Sequence, residues 1–111
     1  MFEDDSVRIK HVLDAAREAI EFVKDRSRQD LDNDRKLNLA LVRLLEIIGE
    51  AARGISQEFR QQHPNLPWKS IIGMRDRLIH GYFDVNLDVV WQTVTEDLPR
   101  LVAQMEDLVS D

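Results

Sequence analysis

Apolar residues return at steps of three and four along most of this chain, which is the period of an α-helix. In the first such run, Val7, Ile9, Val12, Leu13, Ala16, Ala19, Ile20 and Val23 share one face, and Asp4, Asp5 or Ser6 is placed to cap it. KDRSRQDLDND (24–34) is polar and aperiodic and predicts a loop. A second helix is predicted from Asp34 to Ile55. Leu37, Leu41, Leu44, Ile48, Ala51 and Ile55 lie on its stripe, and Leu39, Val42, Leu45 and Ala52 widen it to most of the circumference. A helix so broadly apolar is central, covered on more than one side. Gly49 and Gly54 admit close helix–helix approach, and Gly54 is placed to end the helix.

A short helix is predicted over Ser56 to Gln62, broken by HPNLP at 63–67. Pro67 suits the first turn of a fourth helix, Trp68 to His80, which Gly81 would stop. Asp84 or Asn86 would cap the last helix, whose stripe runs from Leu87 through Trp91, Leu98 and Met105 to Val109. Pro99 removes one backbone bond and predicts a kink, and because the stripe keeps its register across it, one bent helix is expected. No segment alternates with period two. The expected fold is all-α, an antiparallel bundle of about five helices in a single domain, 1–111.

Composition narrows the chemistry. Without cysteine there is no thiolate metal site, disulfide or cysteine nucleophile, and His11, His63 and His80 are too far apart in sequence to suggest zinc. No apolar run approaches the roughly 20 residues of a membrane span. The acidic start MFEDDS lacks a leader's apolar core, so a cytoplasmic location is expected, with no cofactor and no membrane partner. The net charge of −6 is uneven: residues 53–80 hold five Lys/Arg against two Asp/Glu, while residues 81–111 hold one against seven. Local positive charge can attract a phosphate on an acidic protein, although short windows also fluctuate.

The basic segment contains an anomaly. With Trp68 at 0° and about 100° per residue, Ile71, Ile72, Leu78 and Ile79 define an apolar face and Arg75 falls at about 340°, in its middle. An arginine there needs a partner, such as Glu46 or Glu50, or an opening. Arg77 lies on the opposite side and reads as a solvated cation. Lys69, Asp76 and His80 form a neighbouring stripe with Gly73. Asp76 and His80 are four apart, and both the carboxylate and the helix end would favour a protonated imidazole. Arg75 and His80 are about 140° apart on an ideal helix. They can share a substrate through arginine's length, an altered last turn or a second copy of the chain. Arg75 as a buried ion-pair partner and His80 as a plain cap are equally open readings.

Arg75-Asp76-Arg77-Leu78-Ile79-His80-Gly81-Tyr82 fits Arg-x-x-x-x-His-x-Tyr, which resembles the signature of the HEPN superfamily, in particular its HepT-like toxins. LLEIIGEAAR (44–53), LPWKSIIGMRDRLIHGYFDV (66–85) and VWQTVTEDLPRL (90–101) resemble further segments of that family, in order. The resemblance implies a dimer with both motifs lining a cleft at its interface. It implies the toxin half of a type VII toxin–antitoxin pair, a metal-independent endoribonuclease acting on tRNA or mRNA. His80 would move protons, Arg75 would stabilise charge on the phosphoryl oxygens, and Asp76 would orient His80. Tyr82 would accept AMP from a cognate minimal nucleotidyltransferase antitoxin, blocking the cleft. Lys69 and Arg77 are further cations near the motif that can meet a substrate phosphate.

Other signals are weaker. Asp30-x-Asp32-x-Asp34 begins like a calcium loop, but Arg35 and Leu41 stand where glycine and glutamate are needed. Trp68 and Trp91 sit on apolar stripes and read as core or interface, not as base-stacking platforms. Two alternatives to the enzyme remain: a non-catalytic nucleotide- or substrate-binding subunit of a nucleotidyltransferase, and a helical dimerisation module with Arg75 in a buried salt bridge.

Overall fold

Two long helices frame the structure: α1, Glu3–Phe22, packs along α3, Arg35–Arg53. This computed structural model describes residues 3–80 and 84–109, with the backbone alone at Glu3 and His80. The chain continues through α2 (Asp30–Asn33), α4 (Gln57–Gln62), α5 (Trp68–Ile72), α6 (Met74–Leu78) and two-residue strands β1 (Ile79–His80) and β2 (Asp84–Val85). It ends with α7 (Leu87–Gln92), a π-helical turn at Thr93–Asp97 and α8 (Leu98–Val109). The fold is all-α apart from that small hairpin. Its radius of gyration, 14.0 Å, is close to the roughly 13 Å of a compact 100-residue domain.

α3 is central, as its broad stripe predicts. It meets α1 on one side and α5, α6 and α7 on others. Leu41, Leu45, Ile48 and Ala52 are fully buried against Ile9, Val12 and Ala16 of α1 and Val90, Leu98 and Met105 of the C-terminal arm, all in one core. Leu39 departs from the expected circumference and stands 52% exposed. Gly49 does admit close approach: a Cβ there would touch the Ile71 and Ile72 carbonyl oxygens at 3.4 Å. Gly54 closes α3, its N–H reaching the Ala51 carbonyl at 3.1 Å, with the Arg8 side chain in the space a Cβ would need.

Polar residues organise the joints. Asp34 caps α3, accepting from the Leu37 N–H at 3.1 Å. None of Asp4, Asp5 and Ser6 precedes α1, which already starts at Glu3. Asp5 instead faces inward, 2% exposed, and accepts from the Ser56 N–H at 2.8 Å and its hydroxyl at 2.7 Å. Ser56 in turn caps α4 through the Phe59 N–H. Asp5 therefore clasps the start of α1 to the start of α4.

The stretch 24–34 is more ordered than its lack of period suggests. Asp25 takes φ 61°, in the left-handed region, as the chain turns out of α1. α2 then forms one turn that buries Leu31. The Asp30 carboxylate accepts from the Ser27 N–H at 2.7 Å and from Arg26, and both hold it below the usual carboxylate range. Arg26 does the same for Asp34, aided by the Leu37 N–H. These carboxylates are thus engaged by arginines and helix ends. Arg28 ties the stretch to α7 through Asp88 at 2.8 Å.

At Pro99 the expected kink is a widened turn. The Leu98 N–H bonds to the Thr93 carbonyl, five residues back. The proline ring would strike the Thr95 carbonyl in a regular helix and offers it no N–H. Widening the turn relieves the clash without dividing the apolar stripe, since Val94, Leu98, Leu101 and Met105 are all buried.

Candidate active site

The fourth predicted helix is two helices. Gly73 ends α5 and begins α6, with φ −83° and ψ 10°, and α6 stops at Leu78, two residues before His80. Glycine is a poor helix former by about 1 kcal/mol relative to alanine, so a break there costs little. Ile79 is extended, with φ −118° and ψ 122°, and Ile79–His80 pairs antiparallel with Asp84–Val85. A further bond, Asn86 N–H to the Leu78 carbonyl at 2.8 Å, closes the hairpin's base.

This changes the geometry of the motif. The helical four-residue spacing between Asp76 and His80 does not exist, because the helix has ended. His80 has Asp84 as its register partner instead. The altered last turn also removes the ideal-helix separation between Arg75 and His80. The His80 side chain, Gly81 and Tyr82 lie outside what is described.

Arg75 does not lie in the middle of the buried face. Trp68, Ile71, Met74 and Leu78 are the buried residues of α5 and α6, while Ile72 and Ile79 are only partly covered. Including Met74 turns the face away from Arg75, leaving it on the border. Trp68 is core, as its stripe predicts, and its indole N–H donates to the His63 carbonyl at 2.8 Å. The Arg75 side chain is 54% exposed, and its Nε lies 3.3 Å from a Glu46 carboxylate oxygen, whose side chain is 22% exposed. Glu46 was one of the two partners anticipated from sequence.

The Arg75–Glu46 pair forms a ridge between two depressions. One, about 350 Å³, includes Gly49, Glu50, Arg53 and Asp76. The other, about 580 Å³, runs between α3 and the hairpin and includes Arg35, Leu39, Arg43, Ile79 and Asp84. Asp76 is thus beside Arg75, on the side away from the hairpin. Lys69 is exposed on α5. Arg77 faces a different groove, of about 430 Å³, beside Asp97 and Arg100. Asp84, Arg35 and Arg43 were missed in sequence, since only the folded hairpin and α3 bring them to Arg75. Among the described residues no cluster of three histidine or acidic side chains could hold a metal ion, and no helix is long and apolar enough to cross a membrane.

Comparison with known proteins identifies the family. The HepT-like ribonuclease family matches residues 12–108. A protein of Caldanaerobacter subterraneus subsp. tengcongensis, named as a candidate RNase, is 44% identical over 101 residues, covering 91% of this chain and 90% of the relative. The probable ribonuclease HepT of Thermococcus cleftensis is 43% identical over 103 residues, covering 89% and 94%. A candidate RNase of Methanocaldococcus jannaschii is 41% identical over 95 residues, covering 86% and 87%. No solved structure matches the chain significantly. With nearly the whole length matched on both sides, the chain belongs to the HepT-like ribonuclease family.

Proposed function

We propose that this chain is an endoribonuclease that works without a metal ion as a homodimer, with Arg75 and His80 at its catalytic centre. The observation that carries the reading is Arg75 itself: an arginine bordering an apolar face, yet more than half exposed at the ridge between two open depressions. A guanidinium so placed is available to a phosphate. The hairpin that holds His80 begins one residue after α6, so both motif residues come from one compact turn of chain.

In the proposed reaction the ribose 2′-hydroxyl attacks the adjacent phosphorus. His80 takes or returns the proton, and the bond to the 5′-oxygen of the next nucleotide breaks. The products are a 2′,3′-cyclic phosphate and a 5′-hydroxyl end. Arg75 stabilises the charge that gathers on the non-bridging oxygens. The carboxylate that orients His80 is Asp76, beside Arg75, or Asp84, in backbone register with His80. DNA lacks the attacking hydroxyl and is not cut. Tyr82 is the acceptor for AMP from a cognate minimal nucleotidyltransferase, the antitoxin of a type VII pair. The added bulk and negative charge would exclude an RNA backbone.

The test is incubation of purified protein with tRNA and total RNA in excess EDTA, beside folded His80→Ala and Arg75→Ala variants, with intact mass recorded for AMP. Cleavage by unmodified wild type alone, leaving cyclic phosphate ends, is the expected result. An inert, unmodified dimer across varied RNAs would favour a non-catalytic partner of a nucleotidyltransferase, a role to which the chain's charge of −6 is no obstacle.

A further inference from the structure

We propose that the groove between α3 and the hairpin is a track for the single-stranded RNA flanking the reacting phosphate, with Arg35 and Arg43 as its phosphate contacts. The proposal rests on the ribonuclease reading and extends it beyond the motif. The groove is the roomiest of the depressions described above, at about 580 Å³, and Arg75 lies along it. Arg35, Leu39, Arg43 and Glu46 recur once per turn of α3 and so line one wall. From Arg35 to Glu46 that wall runs about 17 Å, more than a single phosphodiester occupies. The track therefore leads from Arg75 out to neighbouring nucleotides.

Its charge fits that cargo. Three arginines line the groove against two carboxylates, Glu46 and Asp84, on a chain whose total charge is −6. Glu46 is occupied with Arg75. Among the described residues Arg35 has no ion-pair partner. Arg43 has only Glu50, at 3.7 Å, with both side chains at least 60% exposed. A pair so exposed is worth little, so a phosphate can displace it. The planar guanidinium fork matches phosphate oxygens. Leu39, 52% exposed in the same wall, gives a base an apolar surface to lie against.

The experiment measures binding of a 2′-O-methylated single-stranded RNA, which cannot be cleaved, by fluorescence anisotropy over a salt series. Wild type is compared with Arg35→Ala/Arg43→Ala and with Arg17→Ala/Arg100→Ala, a control of equal charge on other faces. All four side chains are exposed or half-exposed, and helicity and melting confirm the folds. Each phosphate contact adds about 0.7 to the slope of log affinity against log salt for a single strand. The groove variant should lose about 1.4 from the slope, while the control keeps the wild-type value. Arg35→Lys/Arg43→Lys should retain most of the slope. A wild type that cleaves RNA while both double variants show the same slope overturns this proposal alone. A wild type that neither binds nor cleaves RNA overturns it together with the ribonuclease reading. A groove variant with altered sedimentation and an unaltered slope would assign the groove to contact between copies, and the proposal falls.

Discussion

Arg75→Ala separates a catalytic arginine from a structural one. The structural reading needs a buried ion pair, whose disruption costs about 3–5 kcal/mol. The observed pair is 3.3 Å long, with Arg75 54% exposed and Glu46 22% exposed. Pairs of this exposure contribute about 0–1 kcal/mol. Truncation removes no buried atom from the set formed by Trp68, Ile71, Met74 and Leu78. The variant should therefore lose less than about 1 kcal/mol, a melting shift of no more than about 5 °C. Urea unfolding followed by circular dichroism measures it, with an unchanged m-value confirming the same cooperative transition. Cleavage should fall by about 100- to 1,000-fold, the usual loss when a donor to developing charge is removed. A loss above about 2 kcal/mol with cleavage intact in the folded fraction would refute the reasoning.

The Asp5–Ser56 clasp should matter much more to stability. Two hydrogen bonds to a buried carboxylate predict a loss of about 2–4 kcal/mol for Asp5→Ala, and Ser56→Ala should be strongly non-additive with it in a double-mutant cycle. On the proposed reading, Asp84→Asn should shift kcat/KM for RNA cleavage by more than Asp76→Asn does, since Asp84 is the residue in register with His80. A larger shift for Asp76→Asn would return the orienting role to Asp76. Asp30 and Asp34 have folded pKa values below their unfolded ones. Their stabilisation is present above the ordinary carboxylate range, near 3.9, and is lost as pH falls through the lowered folded values. Thermal melts from pH 5 downward should show Arg26→Ala losing less stability than wild type. An identical acid profile would rule out Arg26 as the cause.

The long elements were legible because each repeats one signal many times. α3 is written in eleven apolar positions, and a single exposed member, Leu39, does not obscure it. The short elements carry too few residues to show a period. α2 buries one leucine, and strands of two residues cannot alternate. The α5–α6 break at Gly73 was hidden because both pieces hold apolar residues at helical spacing. The same break explains the misplaced Arg75. Extending one ideal helix to His80 put Ile79 on the buried face and left Met74 off it. Glu46 and Glu50 were both open as partners of Arg75, and the fold gives Glu46 to Arg75 and Glu50 to Arg43. Asp84 was read only as a possible cap, since its relation to His80 arises in a hairpin the sequence does not announce.

The division at Gly73 also bears on how the protein opens. α5 and α6 have five residues each, far below the length at which a helix persists by itself, whereas α1 and α3 have 20 and 19. The backbone of α5 and α6 therefore holds few hydrogen bonds of its own and depends on Trp68, Ile71, Met74 and Leu78 staying docked. Amide hydrogen exchange should find this segment opening as a unit at lower free energy than the α1–α3 pair. An RNA that engages Arg75 would then slow exchange there most, so the centre would acquire part of its rigidity from the substrate it cuts.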